Sequence, residues 1–339
     1  MRIEPAVPTI GVAIVTYNSA GVLPGCLASL RAQAPTVQLR TVVVDNGSRD
    51  GTPAAVRRAF PEVLVVEAPR NGGFSYGTNV ALRALGLLGP RGPAEEQAIV
   101  AALAAVPAGS PWASAAPCDH VLFLNPDTVL PADALATLVA RLVTHPAIGA
   151  IGPRLVRADG SLDRACRRGL PTPWNAFCHY AGLARRWPHV RLFGGYNLTY
   201  LPEDQPAQVD ALAGAFMLVR GQAARAVGAW DEAFFAYGED LDYCLRLKQR
   251  GWDVWYEPSV EVLHLKGAAS QQRSLPMLRE FYRAMLVYYR KHHAARHALP
   301  LRLLVEAGIR ALYRLELARQ LARPPAERWV GAARTVARR

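Results

Sequence analysis

The first 67 residues alternate strand and helix patterns, and this alternation limits the fold more than any other feature of the chain. Thr9–Val15 is a continuous apolar run rich in β-branched residues, which is typical of a strand buried on both faces of a parallel sheet. Two further strands are predicted at Arg40–Asp45 and Val63–Glu67, each preceded by a helix. This order is typical of a doubly wound α/β sheet that binds nucleotides.

Later segments extend this pattern. A buried strand is predicted at His120–Leu124 and a helix from about Glu239 to Arg250, followed by two short strands. Residues 87–117 are rich in proline, glycine and alanine, so we expect an inserted loop with one helix at Ala94–Val106. Pro171–Pro206 shows no clean period and is predicted to form loops over the carboxyl edge of the sheet.

Two amphipathic helices are predicted at the C-terminal end. The apolar stripe of the first comprises Leu278, Phe281, Tyr282, Met285, Leu286 and Tyr289, and that of the second comprises Leu301, Leu304, Val305, Gly308, Leu312 and Leu315. We therefore expect a catalytic domain over residues 1–270, a helical extension over 271–323 and a basic tail over 324–339.

The net charge indicates which binding partners to expect, and the cysteine content indicates the cellular compartment. Lysine and arginine exceed aspartate and glutamate by 39 − 27 = 12, which favours phosphates or anionic lipid as partners, and nucleic acid is not predicted. The five cysteines form no C-x-x-C pair, so neither a disulfide framework nor a zinc site is indicated. No signal peptide or spanning segment is apparent, and a cytoplasmic protein, either soluble or peripheral to the plasma membrane, is expected.

Polar residues follow the first two predicted strands directly. Thr16, Tyr17 and Asn18 end the first strand, and Asp45 and Asn46 end the second. Because ligands bind at the carboxyl ends of strands in open α/β sheets, these residues are candidates for a nucleotide pocket. A G-x-G-x-x-G loop is absent after the first strand, which argues against a dehydrogenase.

Three further segments carry candidate chemistry. The glycine-rich loop from Arg70 to Asn79 opens a helix and suits close approach of backbone N–H groups to phosphate or ribose. Asp127 follows a buried strand, and His264 ends a late one, so both are candidate ligands of a divalent cation that bridges phosphates. Asp240 lies in an acidic segment flanked by aromatic rings, where a carboxylate can acquire a raised pKa and act as a general base.

Taken in order from Ile10 to Ser270, these segments resemble the family 2 glycosyltransferases with a GT-A fold, above all the bacterial branch that includes rhamnosyltransferases. The resemblance implies a Rossmann-like, mostly parallel central sheet flanked by helices, with the C-terminal helices as an extension. The family's Asp-x-Asp metal motif matches Asn125-Pro126-Asp127, where only the second position keeps a carboxylate.

The resemblance also assigns roles to individual residues. It implies nucleotide contacts from Thr16, Tyr17, Asn18, Asp45, Asn46, Gly73, Phe74, Asn79, Asn125 and Pro126. It implies catalytic roles for Glu239 and Asp240, with Asp240 as the base, and a metal site at Asp127 and His264. The acceptor side is expected to include Gly214, Ala215, Trp230 and Tyr237.

The implied activity is an inverting, metal-dependent transfer of a sugar such as rhamnose from a dTDP- or UDP-linked donor to a glycan or lipid-linked acceptor. Mg²⁺ or Mn²⁺ is the implied cofactor, and an anionic membrane surface and a second copy of the chain are candidate partners. A sugar nucleotidyltransferase is an alternative, but Thr16–Gly25 lacks the phosphate loop and activating basic residue of that class. A non-catalytic carbohydrate-binding protein of the same fold is the other alternative.

Overall fold

The computed structural model describes residues 7–34, 36–113, 117–265 and 275–324. These residues form one mixed sheet with helices packed against it. The strands are β1 (Thr9–Thr16), β2 (Gln38–Asp45), β3 (Leu64–Glu67), β4 (His120–Leu124), β5 (Thr128–Val129), β6 (Ile148–Val156), β7 (Ala207–Gln208), β8 (Phe216–Arg220) and β9 (Asp253–His264).

Twelve α-helices lie within the described residues. They are α1 (Leu23–Arg31), α2 (Thr52–Ala59), α3 (Gly73–Ala84), α4 (Pro93–Ala105), α5 (Ala134–Thr144), α6 (Pro173–Tyr180), α7 (Leu183–Arg186), α8 (Arg191–Gly194), α9 (Gly221–Val227), α10 (Glu239–Gln249), α11 (Leu275–His292) and α12 (Leu299–Leu321). The predicted β-α-β-α-β start of the chain is confirmed.

The sheet order places the candidate residues at one edge. The strands run β3-β2-β1-β4-β8-β6-β9-β5, with β7 also paired to β9. Strands β1 to β4 are mutually parallel where they pair, so their carboxyl ends meet, and Thr16 lies directly opposite Asp45. Strand β5 pairs antiparallel with β9 and places Thr128 opposite His264. The chain leaving β4 is thereby brought beside the end of β9.

The central strands are buried because most of their side chains are apolar. All eight residues of β1 and all five of β4 are buried. Apolar side chains from α1, α2, α3 and α5 join the same core, for example Leu30, Val56, Val80 and Leu138. Burial of this apolar area is the main stabilising contribution to the domain.

The predicted helix within residues 87–117 is present as α4. Its Glu95 forms an ion pair with Arg83 at 3.0 Å, and both side chains are largely buried. Arg40 Nε donates a hydrogen bond to the carbonyl of Pro111 at 3.1 Å. The insertion is therefore packed onto the domain at its β2–β3 side.

Two secondary-structure predictions need correction. Pro171–Pro206 is not a set of loops, because α6, α7 and α8 lie within it. Thr172 caps α6 by accepting a hydrogen bond from the Asn175 N–H, and Gly182, with a φ of 77°, precedes α7. Helices of eight, four and four residues are too short to show a helical period in the sequence. The two strands expected late in the chain are one continuous strand, β9.

The C-terminal helices pack on each other through only part of the predicted stripe of α12, with Ile309 added to it. Val305, Ile309 and Leu312 face α11, whereas Leu301 and Leu304 are 42% and 69% exposed. Leu301 lies four residues before Val305 on the same face, but it and Leu304 precede the part of α12 that packs on α11. Within the described ranges, no helix is long and apolar enough to span a membrane. The predicted basic tail lies, from residue 325 onward, outside the described residues.

Candidate active site

The predicted nucleotide end is built from the turns that follow β1 and β2. Asp45 Oδ2 accepts hydrogen bonds from the N–H groups of Gly47 and Ser48, at 3.0 and 2.8 Å. Asn18, with a φ of 52°, accepts a hydrogen bond on Oδ1 from the Arg49 N–H at 2.8 Å. The Asp45 carboxylate therefore closes its own turn.

Two buried oxygens at this end have no hydrogen-bond partner among the described residues. They are Thr16 Oγ1 and Asn46 Oδ1. The other groups of Asn46 are bound, its N–H to the carbonyl of Thr16 at 2.9 Å and its amide nitrogen to the carbonyl of Gly73 at 3.0 Å. Unpaired buried polar atoms are costly, so a ligand that supplies donors here would be stabilised. Tyr17 lies half-buried between the two turns.

Gly73 and Phe74 connect this end to the acidic segment. The Phe74 N–H donates a hydrogen bond to the carbonyl of Phe235 at 2.7 Å. Gly73 has a φ of 84°, and a Cβ added to it would lie 2.1 Å from the same carbonyl oxygen. Only glycine permits both this backbone conformation and this approach.

Replacing Gly73 with alanine is therefore expected to displace the acidic segment and to destabilise the protein by about 2 kcal/mol or more. Gly86 is a matched control, because its φ is 72° but nothing lies within 4 Å of an added Cβ. Gly86→Ala should cost only about 1 kcal/mol, the strain of the backbone alone. Urea unfolding of both variants measures the difference, and equal losses would contradict the close contact.

The predicted contacts of Asn79 and Trp230 take a different form in the structure. Asn79 binds the backbone N–H and carbonyl of Trp230, at 2.8 and 2.9 Å, and its amide also donates to Glu232. Asn79 thus positions the acidic segment. Trp230 is 1% exposed and stacks on Tyr243 with ring centroids 4.7 Å apart. The prediction that Trp230 faces the acceptor is wrong, because its ring belongs to the core.

The predicted metal pair is brought together by the pairing of β5 with β9. Asp127 Oδ1 lies 3.4 Å from His264 Nε2, and both side chains are buried. The Asn125 amide nitrogen lies 3.5 Å from the same ring nitrogen. Pro126 links Asn125 to Asp127 in the segment that follows β4. His264 Nδ1 hydrogen-bonds Asp163 Oδ2 at 3.0 Å. Asp163, which sequence reasoning missed, orients the imidazole from its far side.

Asp127 and His264 fit a divalent cation whose remaining ligands come from the substrate and water. Asp127 Oδ1 is buried, and its nearest polar neighbour in the site, His264 Nε2, is 3.4 Å away and too poorly placed for a hydrogen bond. Although burial lowers it, Asp127 and Asp163 together raise the pKa of His264 to about 9. No group of three or more histidine, cysteine or carboxylate side chains within the described ranges has the geometry to hold a metal. Asp127 and His264 would thus hold the ion together with phosphate oxygens and water.

The predicted base, Asp240, is the second residue of α10 and lies beside Gly214. Its Oδ2 accepts hydrogen bonds from Arg168 Nη2 at 2.6 Å and from the Gly214 N–H at 3.1 Å. The buried Arg168 also donates to the carbonyls of Leu212 and Ala165, at 2.8 and 3.0 Å. Arg168 was missed from the sequence, and it fixes the orientation of the Asp240 carboxylate.

Gly214 sits between the two ends of the site. A Cβ added to Gly214 would lie 3.5 Å from the Phe74 ring and 3.6 Å from Asp240 Cβ. The neighbouring Ala215 accepts the Asn125 N–H on its carbonyl at 2.9 Å. Tyr237, with a φ of 71°, turns the chain into α10, and its ring meets Phe281 edge-on at 5.5 Å. The predicted catalytic, nucleotide and metal residues thus lie on one connected edge.

Glu239 differs from its neighbour in forming no ion pair with a cation among the described residues. Burial, followed by the negative charge of Asp240, raises the pKa of Glu239 to about 8. Its Oε2 is buried without a hydrogen-bond partner among the described residues. The surroundings of Glu239 therefore favour its neutral form over its charged form.

This shift predicts a pH-dependent stability. The folded chain binds the Glu239 proton more tightly than the unfolded chain, so the free energy of unfolding falls as pH rises from about 5 to about 8. Glu239→Gln removes the cost of ionising this group and should gain on the order of 1 kcal/mol relative to wild type by pH 8. Denaturant unfolding across pH measures this, with Glu96→Gln, an exposed position on α4, as control. A constant difference between Glu239→Gln and wild type would contradict it.

Comparison with known proteins places this arrangement in a family. The sequence profile described as glycosyltransferase like family 2 matches residues 8–283, which include every candidate residue above. The chain belongs to glycosyltransferase family 2. It is therefore a glycosyltransferase, and the resemblance found in the sequence is confirmed.

Curated relatives support the rhamnosyltransferase-like branch. The glycosyltransferase is 30% identical over 292 residues to the N-acetylglucosaminyl-diphospho-decaprenol L-rhamnosyltransferase of Mycobacterium tuberculosis, covering 86% of this chain and 87% of that protein. It is 31% identical over 150 residues to the rhamnosyltransferase WbbL of Escherichia coli K12, covering 43% of this chain and 52% of the relative.

Solved structures share the GT-A fold of this glycosyltransferase. The mannosyltransferase PcManGT from Pyrobaculum calidifontis, solved with GDP-Man and Mn²⁺, matches with a TM-score of 0.52 at 19% identity, over 94% of this chain and 73% of that chain. The S. aureus TarS fragment 1–349 matches with a TM-score of 0.50 at 14% identity, over 92% of this chain and 73% of its own. The predicted fold class is therefore confirmed.

Proposed function

We propose that this glycosyltransferase moves a sugar, with inversion at the anomeric carbon, from a nucleoside diphosphate to a hydroxyl of a glycan or lipid-linked acceptor. The observation that carries the proposal is that a candidate base and a pair of candidate metal ligands, each oriented by a buried partner, lie along one edge of the sheet. Asp240 is fixed by Arg168 at one end, and at the other end His264, which lies beside Asp127, is fixed by Asp163.

The substrates are inferred from the relatives. The Mycobacterium tuberculosis relative is named for a lipid-diphosphate N-acetylglucosamine acceptor and a rhamnosyl donor. We infer a dTDP- or UDP-linked donor, with dTDP-rhamnose as the first choice, and a lipid-linked acceptor in cell-surface glycan assembly. Such an acceptor would place the enzyme in the cytoplasm, at the inner face of the plasma membrane.

The proposed reaction is a single in-line displacement. Asp240 accepts the proton of the acceptor hydroxyl, whose oxygen attacks the anomeric carbon as the bond to the diphosphate oxygen breaks. The electron pair of that bond leaves with the nucleoside diphosphate. Arg168 holds the Asp240 carboxylate in position, while Thr16, Asn46 and Gly73 hold the nucleotide. A Mg²⁺ or Mn²⁺ ion held at Asp127 and His264 would offset the negative charge on the leaving diphosphate.

A homodimer is a further proposal, and the structure offers one face for it. Leu301, Leu304 and Leu315 are exposed on one side of α12, which would be buried by a second copy. Sedimentation equilibrium of wild type and of Leu304→Ser tests it. A monomeric wild-type chain would contradict it.

A donor panel tests the proposed function. Purified enzyme is incubated with UDP-, dTDP- and GDP-sugars and an acceptor, with and without EDTA, and the released nucleotide is identified. Nucleoside diphosphate, lost when EDTA is present, is the expected product. Pyrophosphate would instead indicate a nucleotidyltransferase, no release would indicate a carbohydrate-binding protein, and insensitivity to EDTA would contradict the metal proposal.

A further inference from the structure

Exposed apolar side chains are concentrated in two segments of the chain. Within the described ranges, sixteen large apolar side chains are exposed, and twelve of these lie either between Trp174 and Leu192 or on α12. The first group forms what we call the aromatic patch, which comprises Trp174, Phe177, Tyr180, Trp187, Val190 and Leu192. A contiguous exposed patch of this kind marks an interaction surface.

The aromatic patch is a packed cluster of rings. The ring centroids of Trp174 and Phe177 are 5.7 Å apart, and those of Trp187 and the half-buried Phe193 are 5.5 Å apart. Trp174 Nε1 donates a hydrogen bond to the carbonyl of Leu192 at 2.9 Å, which ties α6 to α8. The three short helices therefore present their rings as one preformed surface.

The charged residues in the sequence around the aromatic patch are all basic. Arg164 to Pro202 contains no aspartate or glutamate, and the exposed Arg185, Arg186 and Arg191 border the rings. Arg186 lies over the Trp187 ring, 5.5 Å from its centroid. Glu316 on α12 is the acid near Tyr180, and it lies 3.8 Å from Arg319. Protein surfaces that bind at the interface of an anionic bilayer typically contain tryptophan and tyrosine beside arginine.

The patch is joined directly to the acceptor side of the site. Arg168, which holds Asp240, is followed by Gly169, whose N–H donates to the carbonyl of Tyr196 at 2.8 Å. A Cβ added to Gly169 would lie 2.0 Å from the carbonyl oxygen of Gly195, so the segments are in close contact. A surface docked through α6, α7 and α8 would therefore hold Asp240 at a fixed height above the bilayer.

We infer that the aromatic patch docks the enzyme onto an anionic lipid bilayer. This inference rests on the proposed function, because a lipid-linked acceptor is the reason for the enzyme to dock on a membrane. A second copy of the chain is a less suitable occupant, because a symmetric contact would bring Arg185, Arg186 and Arg191 of both copies together, and like charges oppose association. The headgroups of anionic lipids neutralise these arginines while the rings enter the interface.

Co-sedimentation with vesicles tests the inference. Vesicles of phosphatidylcholine and phosphatidylglycerol in equal parts are compared with vesicles of phosphatidylcholine alone. We expect wild type to bind the anionic vesicles and the Arg185→Gln/Arg186→Gln variant to bind them on the order of tenfold more weakly. Trp187→Ser should also bind more weakly, while the control Arg58→Gln/Leu103→Ser, exposed on α2 and α4, should bind like wild type.

Equal vesicle binding by the patch variants and the control would overturn the inference. So would a wild-type dimer that Trp187→Ser converts to monomers, because a second copy would then cover the patch. Diphosphate release with a detergent-dispersed acceptor is measured on the same proteins. Its absence in wild type would contradict the proposed function, whereas a loss by the patch variants on vesicles alone would support docking.

Discussion

Asp240→Asn is expected to lower the rate of sugar transfer by about 10²- to 10⁴-fold, because the variant cannot accept the proton of the acceptor hydroxyl. Nucleotide binding should stay near the wild-type level, since Asp240 lies on the far side of Gly214 from Thr16 and Asn46. Initial rates of diphosphate release and calorimetric titration with nucleoside diphosphate measure the two effects separately.

The experiment needs a control for stability, because the substitution leaves the buried Arg168 without its counterion. Loss of one partner of a buried ion pair costs about 3–5 kcal/mol. Asp242 is a matched control on the same helix, since it is fully buried and paired with Arg246 at 2.8 Å. Asp242→Asn should lose stability but keep its activity per folded molecule. Full activity in folded Asp240→Asn would remove Asp240 as the base, and Glu239 would then be the candidate.

Asp163→Asn is expected to weaken divalent metal binding by about 10- to 100-fold, although Asp163 is not proposed to touch the metal. The asparagine keeps the shape of the side chain but removes the charge that His264 Nδ1 faces at 3.0 Å. A less basic and less firmly oriented imidazole is a weaker ligand. Titration with Mn²⁺ in the presence of nucleoside diphosphate, followed by electron paramagnetic resonance, measures the change.

Asp159→Asn is the matched control for this prediction. Asp159 lies in the turn that precedes Asp163 and hydrogen-bonds the N–H of Ser161 at 3.0 Å, but it is exposed. Its replacement should leave Mn²⁺ affinity unchanged. Equal affinity in wild type and Asp163→Asn would show that Asp163 does not orient a metal ligand.

The residues at strand ends were predictable because topology alone groups them. Once β1, β2 and β4 are recognised as parallel neighbours, Thr16, Asp45 and Asn125 must follow at one edge. The pairing of Asp127 with His264 was expected from the family likeness. Its geometry depends on the two-residue strand β5, which is too short to be predicted from a periodic pattern.

Arg168 and Asp163 could not be assigned from the sequence because their partners are remote. Asp240 lies 72 positions from Arg168, and His264 lies 101 positions from Asp163. A physical signal did exist, since a carboxylate buried in an apolar segment requires a compensating cation. Two adjacent arginines before the proline-rich segment were a candidate source of that cation.

Trp230 is a residue that was predicted at the site but lies in the core. The family resemblance assigns Trp230 to the acceptor side of the site. The indole instead packs between Phe123 and Tyr243 in the core, with centroids 4.8 and 4.7 Å away. Large aromatic side chains contribute most when fully buried, so a ring near catalytic residues is often part of their support.

A stoichiometric turnover with dTDP-rhamnose and a lipid-diphosphate N-acetylglucosamine acceptor tests the central claim most directly. Released nucleotide is quantified, and the anomeric configuration of the new linkage is determined by NMR. The account predicts one dTDP for each rhamnosylated product, with the configuration opposite to that of the donor. Pyrophosphate release, or a product that retains the donor configuration, would contradict it.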